Sequence, residues 1–197
     1  AYRQILRVSL FISAPLMLGL VATAPSLIFF LLGEKFEEAI PYFQIICLAS
    51  MLYPIHSINL NVLKVYGRSD LFLKLEIIKK ILTIICIACA WNYGIIGLVW
   101  STVAASILSL LVNTYYSEKL IHYSTKDQLL EMIPTLLVSL CMYGVILFIA
   151  QYTGSFPLIL QILFNFIAGS LAYALFSYCF KLAPFNFLLK IIKNNRS

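Results

Sequence analysis

ILTIICIACAWNYGIIGLVWSTVAASILSLLVNTYYS, the stretch from Ile81 to Ser117, runs for 37 residues without an Asp, Glu, Lys or Arg. As a single helix it would be about 55 Å long, far beyond the roughly 30 Å of a bilayer's hydrocarbon layer, so it must fold back on itself. Asn92-Tyr93-Gly94 is the turn this requires. It divides the stretch into a short span ending near Trp91 and a second from about Ile95 to Tyr116, with Trp91, Tyr93, Tyr115 and Tyr116 placed as interfacial aromatics. The first of the two reaches full length only if Lys79 and Lys80 lie within its helix.

Three more stretches lack charge: Val8 to Gly33, Ala39 to Leu63 and Met132 to Phe180. At roughly 20 apolar residues per crossing, the first two supply one span each and the last supplies two, about Met132 to Ala150 and Pro157 to Phe180. The chain therefore reads as an all-α bundle of six transmembrane spans. Its composition agrees: of 197 residues 62% are hydrophobic and 11% charged, and mean hydropathy is +0.95, well outside the range of a water-soluble domain. Pro15 and Pro25 predict a bent first span, and the second is expected to continue from Ala39 to Leu63 through Pro54. Lys64 to Lys80 reads as a loop and helix entry, Ser117 to Glu131 as a polar loop, and Lys181 to Ser197 as a basic tail.

The basic residues are very unevenly distributed. Thirteen of them fall on one side of this arrangement, at both ends of the chain and in the loops after the second and fourth spans, whereas Lys35 alone falls on the other. Basic loops stay in the cytoplasm, so both termini are expected there, as an even number of spans also requires. The net charge of +6 is then a topology signal, and nucleic-acid binding has no support. The chain opens at Ala1 with no visible signal peptide and reads as the tail piece of a longer protein.

All five cysteines sit in apolar stretches, and Cys86 and Cys89, although spaced Cys-x-x-Cys, are surrounded by Ile, Ala and Trp, a packing environment. No cofactor or metal site is expected. No Gly-x-Ser-x-Gly, His-Glu-x-x-His, phosphate-cradling glycine loop or intramembrane acidic pair is present, so no catalytic residue is assigned.

Two polar groups remain. On the second span Ser50, Tyr53, Ser57, Asn61 and Lys64 share an arc of about 80°, with His56 and Asn59 beside it. Such a stripe either lines an aqueous cavity or hydrogen-bonds to neighbouring helices as structural glue. The second group is Lys74, Glu76, Lys79 and Lys80 at the entry of the third span, with Lys64 and Arg68 close by in sequence. Glu76 can pair with Lys79 or Lys80, and the remaining lysines can hold an anion or reach lipid headgroups.

The segments Leu31-Leu32-Gly33-Glu34-Lys35-Phe36, Ala39-Ile40-Pro41-Tyr42-Phe43-Gln44-Ile45, Ser57-Ile58-Asn59-Leu60-Asn61-Val62-Leu63-Lys64 and Gly67-Arg68-Ser69-Asp70 through Lys79-Lys80 carry a resemblance. They resemble the polysaccharide-transport branch of the multidrug/oligosaccharidyl-lipid/polysaccharide exporter superfamily, the lipopolysaccharide and capsule repeat-unit flippases. Phe36 stands where family members commonly carry Trp. The resemblance covers roughly residues 1 to 117 and implies two lobes of helices around a central cavity, with this chain as the C-terminal half and an N-terminal half upstream. It implies alternating-access transfer of an undecaprenyl-pyrophosphate-linked oligosaccharide across the bacterial inner membrane, with coupling to a proton or sodium gradient. Tyr53, His56, Ser57, Asn59 and Asn61 would then contact substrate in the cavity, and Lys64, Arg68, Lys74, Lys79 and Lys80 its pyrophosphate. Residues 1–117 would form four spans of the second lobe, 118–182 a final hairpin of two, and 183–197 a cytoplasmic tail. Alternatives are a polymerase or acyltransferase of polysaccharide assembly, or a drug exporter of the same superfamily.

Overall fold

The computed structural model describes residues 2–121 and 123–194, and helices are the only regular elements among them. They are α1 (Tyr2–Leu31), α2 (Ala39–Ser50), α3 (Tyr53–Val65), α4 (Ser69–Ala90), α5 (Gly94–Ile121), α6 (Thr125–Thr153), α7 (Leu158–Cys179) and α8 (Ala183–Asn194). His122 and Arg196 lie outside the described residues. Five helical stretches are long and apolar enough to cross a membrane. One of these, Ser69–Glu118, spans 50 residues and consists of α4 and most of α5, which pack along each other from the turn Trp91–Tyr93. The chain is a helical membrane-type bundle.

α1 lies at the centre, packed against α2, α3, α6 and α7. It is helical throughout although it contains Pro15 and Pro25. Each proline lacks the N–H that would bond the carbonyl four residues earlier, leaving Phe11 O and Val21 O without helical partners. Other helices supply them. Tyr173 on α7 donates its hydroxyl to Phe11 O at 2.8 Å, and Gln44 on α2 donates Nε2 to Val21 O at 3.0 Å. In an apolar medium this is the condition for keeping a proline in a spanning helix. The Phe11 and Tyr173 rings also stack at 5.0 Å in a core with Leu18, Val138, Met142 and Ile146. Gly169 on α7 permits this packing, because a Cβ there would stand 2.8 Å from Ile146 Cδ1.

Several boundaries differ from the sequence reading. The second span is two helices, α2 and α3, interrupted at Met51 and Leu52. Pro54 in the first turn of α3 cannot donate to the carbonyl of Ser50, so the backbone ladder stops there. Two exposed ends of that interruption are bonded from outside: Ser106 on α5 donates to Ala49 O at 3.0 Å and Ser13 on α1 donates to Met51 O at 3.1 Å. The expected loop from Lys64 to Lys80 is mostly helix. α3 ends in a turn in which Arg68 N bonds Leu63 O and Gly67, at φ +66°, bonds Lys64 O, a glycine C-cap, and α4 begins immediately afterwards. Likewise α5 continues to Ile121 and α6 starts at Thr125, leaving only a short connection where a polar loop from Ser117 to Glu131 is expected. The tail forms α8. The Asn92-Tyr93-Gly94 turn is present, with Gly94 at φ +67°.

Candidate functional site

α3, α4 and α5 enclose an open cleft of about 620 Å³. From α3 it is lined by Tyr53, His56, Ser57, Asn61 and Lys64, from α4 by Phe72, Glu76, Lys79, Lys80 and Thr83, and from α5 by Thr102, Ser106 and Ser109, with Ser50 at the end of α2. The stripe and the lysine cluster, read separately from the sequence, therefore face one space. Seven of the ten expected site residues line it: Tyr53, His56, Ser57, Asn61, Lys64, Lys79 and Lys80.

The other three do not. Asn59 points the opposite way, is 1% exposed, and accepts a hydrogen bond from Tyr2 on α1. It belongs to a buried polar cluster in which Gln128 donates to Tyr123 O at 3.0 Å and to Ser117 Oγ at 3.3 Å. Here the structural-glue reading applies. Arg68 is held in the exposed turn by two bonds of 3.1 and 3.0 Å to Asp70. Lys74 is exposed on another side of α4, where Leu75 beside it is buried.

Lys79 and Lys80 stand half way along α4, about 15 Å from its Trp91 end, and not at its entry. A cation at that depth needs partners or water. Lys79 pairs with Glu76, leaving Lys80 with no ion pair among the described residues, and Lys64 Nζ lies 4.8 Å over the Phe72 ring. Three lysines against one glutamate leave the cleft positive.

His56 is fixed by a chain of bonds across the cleft wall. Ser106 spends its only hydroxyl proton on Ala49 O, so at 3.2 Å its oxygen accepts from His56 Nε2–H, and His56 Nδ1 accepts from Asn113 Nδ2 at 3.2 Å. The neutral ring with its proton on Nε2 satisfies both contacts. This chain also connects the cleft to the interruption between α2 and α3.

The residues contributed by α5 lie outside both polar groups named from the sequence, in a stretch marked there only by its lack of charge. Thr102, Ser106, Ser109 and Asn113 recur at helical spacing, and Glu76, Lys80 and Thr83 do so on α4. Those spacings carried the signal. Among the described residues no group of three or more His, Cys, Asp or Glu is placed to hold a metal ion, and the five cysteines are free.

Against models of protein families, curated proteins and solved structures, the chain finds no match.

Proposed function

We propose that this chain is the C-terminal lobe of a flippase that carries an oligosaccharide on a pyrophosphate lipid across the bacterial inner membrane by alternating access. One observation carries the reading: Lys79 and Lys80 stand mid-way along a helix and face an open polar cleft with Lys64 at one end. Hydroxyl, amide and imidazole groups suit a sugar chain, and the lysines suit a phosphate anion. The resemblance of residues 1 to 117 to repeat-unit flippases supplies the substrate class. The one serine beside an imidazole among the described cleft residues, Ser106, gives its proton to Ala49 O and accepts from His56 Nε2–H, the reverse of a nucleophile and its base, which favours transport over a polymerase or acyltransferase. Ion coupling, on this reading, involves the upstream lobe.

The test is transfer of a fluorescent pyrophosphate-linked oligosaccharide in vesicles containing the full-length protein. Asn61→Leu and Tyr53→Leu, both exposed in the cleft, are expected to reduce transfer several-fold, by removing hydrogen bonds worth about 1 kcal/mol each, with normal insertion. Normal transfer by both variants would refute the role of the cleft.

Cytoplasmic termini are part of the proposal. Single cysteines introduced at Glu37, Ser155 and Ser124 test it by labelling in intact cells. Glu37 and Ser155, both exposed, should react from outside and Ser124 should be protected; the reverse pattern inverts the topology.

A further inference from the structure

We propose a second site, independent of the transport cleft: a pocket between the start of α1 and the start of α8 that binds the phosphate of an anionic phospholipid. Two adjoining clefts meet there, of about 320 and 360 Å³, sharing Arg3, Arg7, Ala183 and Pro184. The first also contains Asp127 and Glu131. The second has no acidic lining; Gln4, Val8 and Phe187 complete it.

The arginines are anchored from one side only. Glu131 on α6 takes one nitrogen of Arg3 at 2.6 Å and two of Arg7 at 2.9 and 2.8 Å, and Arg3 lies 4.5 Å over the Tyr123 ring. A guanidinium has five N–H donors, so one carboxylate engages a minority of the donors and half of the charge. The pair is thus oriented by Glu131, and although Asp127 balances the charge of the first cleft, the two arginines are the only charged residues lining the second. Planar guanidiniums match the oxygens of a phosphate. Arg3 is 59% exposed and Arg7 35%, so an incoming headgroup can reach both.

The surroundings select a lipid as the source of that phosphate. α8 places Phe185 and Leu188 against the core of α1 and α7, while Asn186 and Lys190 are exposed. A helix with one apolar and one polar face beside a membrane span belongs at the headgroup boundary. Val8 and Phe187 give the pocket apolar walls next to the arginines. A phosphodiester with no cationic group of its own meets two arginines there, whereas a choline headgroup would bring its ammonium into the same field.

Native mass spectrometry of the full chain released from detergent, with phosphatidylglycerol or phosphatidylcholine of equal acyl length added, reads the site. Retention of phosphatidylglycerol is expected to exceed that of phosphatidylcholine by about thirtyfold, at roughly 1 kcal/mol for each of the two arginines near the surface. Gln4 is exposed, so Gln4→Glu should leave the fold intact and abolish the preference by occupying the free guanidinium donors. Glu131→Gln should strengthen retention by releasing both arginines. Equal retention of the two lipids, or a Gln4→Glu variant that keeps the preference, overturns the site. Displacement of the lipid by an equal concentration of inorganic phosphate overturns the assignment to a lipid.

Discussion

Lys80→Gln and Lys64→Gln are each expected to lower transfer of a pyrophosphate-linked substrate by about tenfold or more, while Lys74→Gln and Lys190→Gln stay within about twofold of the unaltered protein. All four remove one positive charge. They differ in place: Lys64 and Lys80 line the cleft, Lys74 is exposed elsewhere on α4, and Lys190 is on α8. A charged hydrogen bond in a partly desolvated site is worth about 1.5–3 kcal/mol, whereas an exposed surface charge contributes little and is screened by salt. Lys79→Gln should be the most damaging, because it also strips Glu76 of its partner and leaves an anion facing the substrate's own charge. Adding Glu76→Gln to Lys79→Gln should therefore restore part of the loss. Such a cycle separates the pair's contribution from the loss of a lysine. If all four glutamine variants transport equally, the lysines hold no substrate.

The second large effect concerns stability. Tyr173→Phe is expected to destabilise the bundle by about 1–2 kcal/mol, and Gln44→Leu by a similar amount, in reversible unfolding with a denaturing detergent. An ordinary interhelical hydrogen bond in a membrane contributes about 0.6 kcal/mol on average, since its partners find others when it is broken. Phe11 O and Val21 O have no such recourse, because Pro15 and Pro25 have already taken away their helical donors. Tyr178→Phe on the same helix is the control, being an exposed tyrosine. Tyr173→Phe behaving like that control would show that Phe11 O finds another donor.

Much of this architecture is legible in the chain because charge is so sparse. The Ile81–Ser117 stretch dictates its own hairpin, and the glycines at positions 67 and 94 mark turns the structure then uses with positive φ. Proline is legible only in part. Pro54 announces a disturbance, but whether a helix bends or stops depends on donors such as Ser13 and Ser106, from helices far away in sequence. The same holds for Tyr173 and Gln44, whose roles depend on which helices meet. Within the candidate site, helical periodicity groups Tyr53, Ser57, Asn61 and Lys64 correctly; at 100° per residue Asn59 falls on the opposite side of the helix, where the structure buries it, so placing it beside the stripe is an error of angle that the sequence could have avoided. α8 is obscured by its basic content, which reads as a tail until Phe185 and Leu188 have a core to meet.

The interruption between α2 and α3 determines how readily this part of the bundle can change angle. Tilting the two halves of an unbroken helix would require opening several consecutive backbone bonds, each worth about 1 kcal/mol or more in a medium without water. Here the ladder is already open, and the angle is set by two serine hydroxyls, one on α1 and one on α5. The stiffness of the joint is thus a side-chain property. Because Ser106 accepts from His56 while it donates to Ala49 O, the wall of the cleft and one of the two stays share a side chain.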